Sequence, residues 1–336
     1  MKIGLIALTK GGYILAEKIA ESHDSVTVLR KSKGQKVADL LNKEWTNFDG
    51  FICVMAAGIV VRSIAPLLGD KRSDPCVLVV DEKGTNVISL LSGHLGGGNA
   101  LTLEISAILG ANPVITTASD TLGLVALDLW AEVNDLVPPP KEILTTLSTK
   151  LVNVGSLKLF ADVEVASLPP GLQQVKRTDE ADIIVSHSLY INSDCAFFRP
   201  RNIVIGSGCN RGTPVEEFES ALVELLDDLN FSRSSIRNLA SIDKKNDETG
   251  LLQFGADNDW RIDFFDKEAI NTKNNLEISF AALKAVGAIG VAEPASLLSA
   301  KSNLLLSRKR KWKNITMAMA QVPFTLSAQD QVQQNR

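Results

Sequence analysis

Short apolar runs that alternate with amphipathic stretches are the feature that most constrains the fold of this chain. Residues 3–8 predict a buried strand, and residues 13–22 carry apolar side chains at helical spacing. The alternation continues, with further strands predicted over residues 26–29, 51–56, 76–80, 87–91 and 113–117. Such continuous apolar strands, separated by helices, are typical of a doubly wound, mostly parallel sheet covered on both faces. Residues 1–136 are therefore predicted to form an N-terminal α/β domain.

Three consecutive prolines at residues 138–140 interrupt this pattern and predict a boundary. Over residues 137–201 we expect a small α+β middle domain, with a helix at 142–147 and strands at 151–154, 157–161, 183–185 and 196–198. From residue 202 to 323 the alternation resumes and predicts a second α/β domain, including a strand at 290–292 and a helix at 294–300. Thr213 and Glu216 have the spacing of a capping box. The polar end, residues 324–336, is predicted to fray.

Charge and cysteine content exclude several classes of protein. The 336 residues carry 35 basic and 39 acidic side chains, for a net charge of −4, which argues against a general nucleic-acid binder. No apolar run is long enough to predict a membrane span, and the first apolar run is too short for a signal peptide. The 4 scattered cysteines and 3 histidines predict neither disulfides nor a metal site of the protein's own. We therefore expect a cytoplasmic protein.

A glycine-rich segment, Ser-Gly-His-Leu-Gly-Gly-Gly-Asn at residues 92–99, follows a predicted strand and opens a predicted helix. The backbone amides of Gly96, Gly97 and Gly98 can approach a ligand closely, and a helix N-terminus favours negative charge. These glycines and Asn99 are our candidate substrate ligands in this segment. His94 stands at the carboxyl end of the strand, where open α/β sheets bind ligands, and is our candidate base. The alternative is a simple turn with Asn99 as helix cap and a solvated histidine.

Two further strand ends in the N-terminal domain carry candidate residues. Thr116, Thr117 and Asp120 follow the strand at 113–117 and are expected to face the same crevice as His94, with Asp120 either an acid–base group or a helix cap. Arg62 follows the third strand and supplies a positive charge for an anionic substrate. Together these residues predict a site at one edge of the sheet.

A second glycine-rich segment, Gly-Ser-Gly-Cys-Asn-Arg-Gly-Thr at residues 206–213, again joins a strand to a helix. Gly208, Arg211, Gly212 and Thr213 predict a carboxylate or phosphate pocket, although a tight turn capped by Thr213 gives the same pattern. Cys209 has no histidine nearby in sequence, which disfavours a catalytic thiol.

Charged residues follow later strand ends of the C-terminal domain. Lys244 and Lys245 are candidate substrate ligands, and Glu293, before a proline, is either a cap or an acid–base residue. The basic run at residues 308–313 is interpreted as the solvated edge of a hairpin rather than a nucleic-acid patch.

Neither glycine-rich segment has the spacing of a nucleotide-binding loop. The G-x-G-x-x-G and G-x-x-x-x-G-K-[ST] patterns are absent, and Arg30, not an acid, follows the second strand. A nicotinamide-dependent enzyme or a nucleotide hydrolase is therefore disfavoured.

The two segments, together with Pro-Val-Ile-Thr-Thr-Ala-Ser-Asp at 113–120, Ala-Ser-Ile-Asp-Lys-Lys at 240–245 and Val-Ala-Glu-Pro-Ala at 291–295, resemble the cobalamin-biosynthesis protein G family. The resemblance spans about residues 50–130 and 202–320. Asn210 departs from it, since a second basic residue is expected there. The family implies cobalt-precorrin-5A hydrolysis, a reaction in which a δ-lactone opens, acetaldehyde leaves and cobalt-precorrin-5B forms.

This resemblance implies an anionic cobalt-corrinoid intermediate as substrate. The cobalt then arrives inside the substrate, and no cofactor is expected. His94, Asp120 and Glu293 become the candidate proton acceptors. Substrate carboxylates would pair with Arg62, Arg211, Lys244 and Lys245, in a cleft between the terminal domains. A homodimer, or transient contact with other cobalamin-pathway enzymes, is also compatible. The alternative function is a non-catalytic carrier of corrinoid intermediates, which needs anion pockets but no base.

Overall fold

The computed structural model describes residues 1–70, 73–94, 96–190, 195–273 and 276–329. Its contacts divide the chain into two compact units, Met1–Leu129 and Trp130–Arg336. No helix in the described ranges has the length and apolar character needed to cross a bilayer.

The first unit is built on one sheet. Its described strands are β1 (Ile3–Ala7), β2 (Val26–Leu29), β3 (Gly50–Val54), β4 (Cys76–Val80), β5 (Asn86–Leu91) and β6 (Asn112–Val114). Its described helices are α1 (Lys10–Ser22), α2 (Val37–Glu44), α3 (Ala57–Ile64), α4 (Gly98–Leu109) and α5 (Ala118–Leu122), and α6 (Leu127–Val133) runs across the division between the units. The strand order is β2-β1-β3-β4-β5-β6, and each neighbouring pair is parallel except β4–β5.

Alternate side chains of the central strands explain why helices cover both faces of this sheet. Leu5 and Ile52 pack with residues of α1 and α4 on one face. Ile6, Phe51 and Cys53 pack with residues of α2 and α3 on the other. Strands that bury both faces read as continuous apolar runs, so the predicted mostly parallel, doubly wound sheet is confirmed.

The second unit contains two larger sheets. Strands of the middle sheet are β7 (Leu136–Val137), β8 (Leu157–Ala161), β10 (Leu172–Gln174), β11 (Ile183–Val185) and β12 (Ala196–Pro200), while β9 (Glu164–Val165) lies outside it. The order is β10-β8-β11-β12-β7, with parallel pairs except at β7. The helix of this region is α7 (Lys141–Val154). The strand predicted at 151–154 is therefore wrong: Leu144, Leu147 and Leu151 share one buried helical face, and Gly155 ends the helix in a left-handed conformation.

The C-terminal sheet confirms the second α/β region. Its described strands are β13 (Ile203–Cys209), β14 (Ile236–Ile242), β15 (Ile262–Phe265), β16 (Leu305–Lys311) and β17 (Ile315–Gln321). The described helices are α8 (Val215–Leu229), α9 (Thr249–Asp257), α10 (Lys267–Ile270), α11 (Phe280–Val286) and α12 (Ala292–Ala300). The order is β15-β14-β13-β17-β16, in which β13, β14 and β15 are parallel and β17 is antiparallel to both neighbours. Residues of α8 and α9 pack on one face, and residues of α12 on the other.

Three sequence predictions in this region are corrected. The strand predicted at 290–292 is instead the approach to α12, which packs against β13 so closely that a Cβ on Gly206 would lie 1.8 Å from the Ala292 carbonyl oxygen. The capping box is wrong: Pro214 is the N-cap residue, and the Thr213 hydroxyl donates to the Asn210 carbonyl (2.8 Å). The fraying predicted from residue 324 is wrong for β18 (Thr325–Leu326), which pairs with β9, while residues 330–336 lie outside the described ranges.

Candidate functional site

The loop between β5 and α4 is closed by its own backbone. Ser92 has a positive φ of 53°, and Gly97, at the N-cap of α4, has one of 75°. The Gly97 amide donates to the His94 carbonyl (2.8 Å), and the Gly98 amide donates to the Ser92 carbonyl (3.2 Å). These two amides, predicted as ligand donors, therefore hold the loop together. Leu95 of the sequence signature lies outside the described residues.

Two glycines allow the loop to fold this tightly. A Cβ on Gly93 would lie 2.5 Å from Asn99 Oδ1, and a Cβ on Gly96 would lie 2.5 Å from the Ser92 Cβ. The sequence signature thus reflects close approach within the loop as much as approach of a ligand. The loop presents the side chain of His94 beside α5 and α6.

His94 is bracketed by two carboxylates. Its Nε2 lies 3.0 Å from Asp120 Oδ2 on α5, and its Nδ1 lies 3.9 Å from Asp128 Oδ1 on α6. The Ser119 hydroxyl is 3.4 Å from the same Nε2. The His94 side chain is 22% exposed and that of Asp120 30%, so the pair is reachable from solvent. The contact between His94 and Asp120 agrees with their predicted positions at neighbouring strand ends.

Asn99 fixes the Asp120 carboxylate from beneath. This buried side chain donates from Nδ2 to Asp120 Oδ2 (2.9 Å) and to the Thr117 hydroxyl (3.1 Å). Its Oδ1 accepts from the Ser89 hydroxyl (2.7 Å). Asn99 lies within α4 and does not cap it. Its side chain instead holds the Asp120 carboxylate that contacts His94.

The other predicted residues of the first unit are spread around this cluster. Thr117 is the N-cap residue of α5, and Asp120 lies inside that helix rather than at its cap. Thr116 is exposed. The Arg62 guanidinium donates to the Gly58 carbonyl of its own helix (3.2 Å) and is also exposed. Sequence reasoning missed Ser89 and Asp128, whereas Ser119 belongs to the same signature as Asp120 and its hydroxyl does lie beside His94.

The cations predicted in the second unit are largely engaged with acids of the same loop region. Arg211 lies 2.5 Å from Asp247 and 3.5 Å from Glu248, and Lys245 lies 3.2 Å from Glu248. Glu248 also accepts from the Gly212 amide (2.5 Å) and is only 3% exposed. The Arg211 hydrogen bond holds the pKa of Asp247 below its ordinary value. This network fixes the loop that follows β13.

A cavity of about 700 Å³ opens beside this network and is lined in part by residues of α11, α12 and the hairpin of β16 and β17. Five of the predicted residues line it: Gly208, Arg211, Lys244, Lys245 and Glu293. Thr213 is buried and is not part of the lining. The Lys244 ammonium donates to the Val286 carbonyl (3.3 Å). Glu293 is 4% exposed, and its Oε1 accepts from the Lys309 amide (2.9 Å). The cavity thus gathers several predicted residues, but not His94, which belongs to the other unit.

The remaining reactive groups are less suited to catalysis. Cys209 also lines the cavity, and burial raises the pKa of its thiol to about 11, which disfavours a thiolate at neutral pH. Cys53 and Cys76 are buried core residues. Within the described ranges there is no group of three or more His, Cys, Asp or Glu side chains arranged to hold a metal ion.

Sequence comparison identifies both halves of the chain. Residues 39–120 match the family described as Cobalamin synthesis G N-terminal, and residues 203–320 match Cobalamin synthesis G C-terminus. A cobalt-precorrin-5A hydrolase of Priestia megaterium is 32% identical, over 95% of this chain and 95% of its own length. One of Salmonella typhimurium is 31% identical, over 90% of this chain and 93% of its own length.

A solved structure is also similar. CobE, a protein from the cobalamin (vitamin B12) biosynthetic pathway, is 30% identical and covers 35% of this chain and 89% of its own, with a TM-score of 0.34. The full-length matches carry the assignment. The chain belongs to the cobalamin synthesis G family, as an enzyme of the kind that its curated relatives represent.

Proposed function

We propose that the protein opens the δ-lactone of cobalt-precorrin-5A and releases acetaldehyde to give cobalt-precorrin-5B. Two relatives more than 30% identical over nearly the whole chain carry the name of this hydrolase. The observation that supports the chemistry is the His94–Asp120 contact, an imidazole oriented by a carboxylate that is itself held by Asn99. A base with an orienting partner is the arrangement that activates water or a hydroxyl group.

The first step is attack of water on the lactone carbonyl. With the Nε2 proton donated to Asp120, the neutral His94 ring keeps Nδ1 as a proton acceptor. Asp128 lies 3.9 Å from Nδ1, a separation longer than a direct hydrogen bond and suited to a bridging water. His94 takes a proton from this water, the hydroxide adds to the carbonyl carbon, and the ring C–O bond breaks as His94 returns the proton to the leaving oxygen. The carboxylic acid that forms loses its proton to solvent. The products of the step are a carboxylate and a hydroxyl group on the two-carbon unit.

The second step removes the two-carbon unit. His94 or Asp120 accepts the proton of the new hydroxyl group, its oxygen forms the aldehyde C=O, and the bond to the macrocycle breaks. The electron pair passes into the conjugated ring, which later takes up a proton. Glu293 remains an alternative acceptor from the sequence analysis. The balance consumes one water and releases one acetaldehyde, with no redox partner.

The test is acetaldehyde release from cobalt-precorrin-5A by the wild-type protein, His94→Ala and His23→Ala. His23 is a matched control because its Nε2 lies 3.3 Å from Glu104 and its side chain is 21% exposed, close to the 22% of His94. Loss of a general base is expected to lower kcat by about 10²–10⁴-fold in His94→Ala, and His23→Ala should retain activity.

Three outcomes separate the alternatives. Full activity in a folded His94→Ala protein removes His94 from the mechanism. Equal loss in both variants points to damage of the unit rather than of the site. Tight substrate binding by the wild-type protein without acetaldehyde release favours the carrier function over the hydrolase.

A further inference from the structure

The cavity of the second unit lies where a parallel sheet ordinarily binds ligands. Cys209 and Ile242, the last residues of the parallel strands β13 and β14, both line it. Its volume of about 700 Å³ falls within the range of about 300–1,000 Å³ that is typical of small-molecule sites. The cavity therefore has the position and size of a binding site.

The hairpin formed by β16 and β17 supplies one wall of this cavity. Lys309, Lys311 and Lys313 line it, at alternate positions of the chain. The intervening side chains bind α8 instead: Arg310 forms an ion pair with Asp228, and the Trp312 indole donates to Glu224 (2.9 Å). The period-2 alternation of an extended chain thus directs the lysines to one side.

Two asparagines fix the tip of the hairpin. Asn314 donates from Nδ2 to the Glu217 carboxylate (3.0 Å), and the Asn210 amide donates to the Asn314 carbonyl (2.9 Å). The Asn210 and Asn314 side chains also bond to each other (3.0 Å). The wall is therefore held on both sides before any ligand enters, which lowers the entropic cost of binding.

The charge of the hairpin is less compensated than that of the neighbouring loop. Lys309 lies 3.4 Å from Glu277. Within the described ranges, no carboxylate oxygen lies within 4.0 Å of the Lys311 or Lys313 ammonium group. Arg211 and Lys245, in contrast, share the acids Asp247 and Glu248. Among the described residues, Lys311 and Lys313 are thus cations of this cavity without a carboxylate partner, as is Lys244, whose ammonium group instead donates to the Val286 carbonyl.

The rest of the lining is mainly apolar. It includes Ile242, Leu276, Val286, Ile289, Val291 and Ile315. A cavity that combines apolar walls with a cationic edge is complementary to a large apolar ligand that carries anionic groups at its periphery. A small free anion would leave most of this wall without a partner.

We infer that Lys311 and Lys313 bind peripheral carboxylates of a tetrapyrrole ring that lies against the apolar wall of this cavity. The identity of the ring rests on the proposed function, whereas the carboxylate-binding edge rests on the hairpin itself. Two lysines of the basic run that the sequence suggested to be a solvated hairpin edge are thereby assigned to substrate recognition. No new bond forms at this site; it holds the ring by charge and apolar contact.

The test measures binding of uroporphyrin III, a tetrapyrrole with carboxylates around its rim, through quenching of its fluorescence. The variant is Lys311→Gln with Lys313→Gln. The control is Lys301→Gln with Arg308→Gln, which removes the same charge from two exposed residues that do not line the cavity. Loss of two solvent-accessible ion pairs should weaken binding by about tenfold, and the control should bind like the wild-type protein.

Two further measurements test the role of Lys311 and Lys313, the salt dependence of binding and the kinetic constants. The salt dependence of uroporphyrin binding should be shallower in the double lysine variant, because fewer charges are screened. With cobalt-precorrin-5A, that variant should raise KM and leave kcat nearly unchanged, the opposite of His94→Ala.

Several results would overturn the inference. They are equal binding by variant and control, no binding by the wild-type protein, or displacement of uroporphyrin by ATP at equal concentration, which would indicate a nucleotide site. The binding measurement needs no turnover. Absence of acetaldehyde release would therefore count against the proposed hydrolase, but it would not affect the comparison of uroporphyrin binding between the lysine variant and its control.

Discussion

The two glycine-rich loops, residues 92–97 after β5 and residues 206–213 at the end of β13, share a sequence pattern but are built for different purposes. The first presents a partly exposed histidine to Asp120 and Asp128. In the second, Arg211 and the buried Lys245 form ion pairs with Asp247 and Glu248. In the first loop the polar groups surround an open position, and in the second they neutralise one another. The acids that contact each loop, which lie outside the glycine-rich pattern, therefore determine whether its polar groups are open to a substrate or stabilise the loop.

The largest effect is expected at Glu248, the centre of the second network. Glu248→Ala leaves the buried Lys245 ammonium without its carboxylate, a loss that typically costs about 3–5 kcal/mol of stability. Chemical denaturation of the variant measures it. The matched control is Asp247→Ala, which removes the exposed partner of the same arginine and should change the midpoint much less. Equal losses would mean that the network is not organised around Glu248.

The next effect concerns the glycines of the same loop. In Gly206→Ala the new Cβ would lie 1.8 Å from the Ala292 carbonyl oxygen, so α12 must shift, and overpacking of this kind costs about 1–3 kcal/mol or more. Gly212→Ala is the control: it has a φ of +71° but open space around its Cβ position, so strain alone acts. Thermal unfolding of the two variants compares them. A larger loss in Gly212→Ala would show that conformation, not helix packing, requires glycine here.

In the first loop the expected effect is on turnover. Asp120→Asn keeps the size of the side chain but removes the charged group that orients the His94 ring. We expect kcat to fall by about 10–100-fold, with KM and unfolding midpoint nearly unchanged. Glu104→Gln, which alters the corresponding partner of His23, should have little effect on kcat. A rise in KM with constant kcat would instead make Asp120 a substrate ligand.

The sequence carries most of the fold and about half of the candidate site. Buried parallel strands such as β1 and β3 were recognisable because both faces are apolar. The end of helix α7 resembles a strand in sequence because Val152 and Val154 favour strands. The packing of Leu151 with Leu144 and Leu147 on one helical face decides for the helix. His94 and Asp120 follow strand ends, a position that predicts proximity. The position of Asp128 beside His94 depends on how α6 packs, which no local pattern encodes. Lys245 and Glu248, in contrast, are only three residues apart in the sequence.

The smallest effect concerns His187, which is buried, unlike the partly exposed His94. Burial lowers the pKa of His187 below its ordinary value because the imidazolium loses hydration, and the Asp162 charge opposes this only in part. In the unfolded chain its pKa is about 6.5. The folded protein thus binds this proton less readily than the unfolded chain. The stabilising contribution is complete above that value and is lost as the pH falls toward the folded pKa.

The unfolding temperature should therefore drop between neutral and mildly acidic pH, and drop less in His187→Gln. Phe231→Leu removes the ring packed at 4.7 Å but keeps the histidine, so it should lower stability at both pH values and preserve the slope. An unchanged slope in His187→Gln would assign the acid sensitivity to other groups.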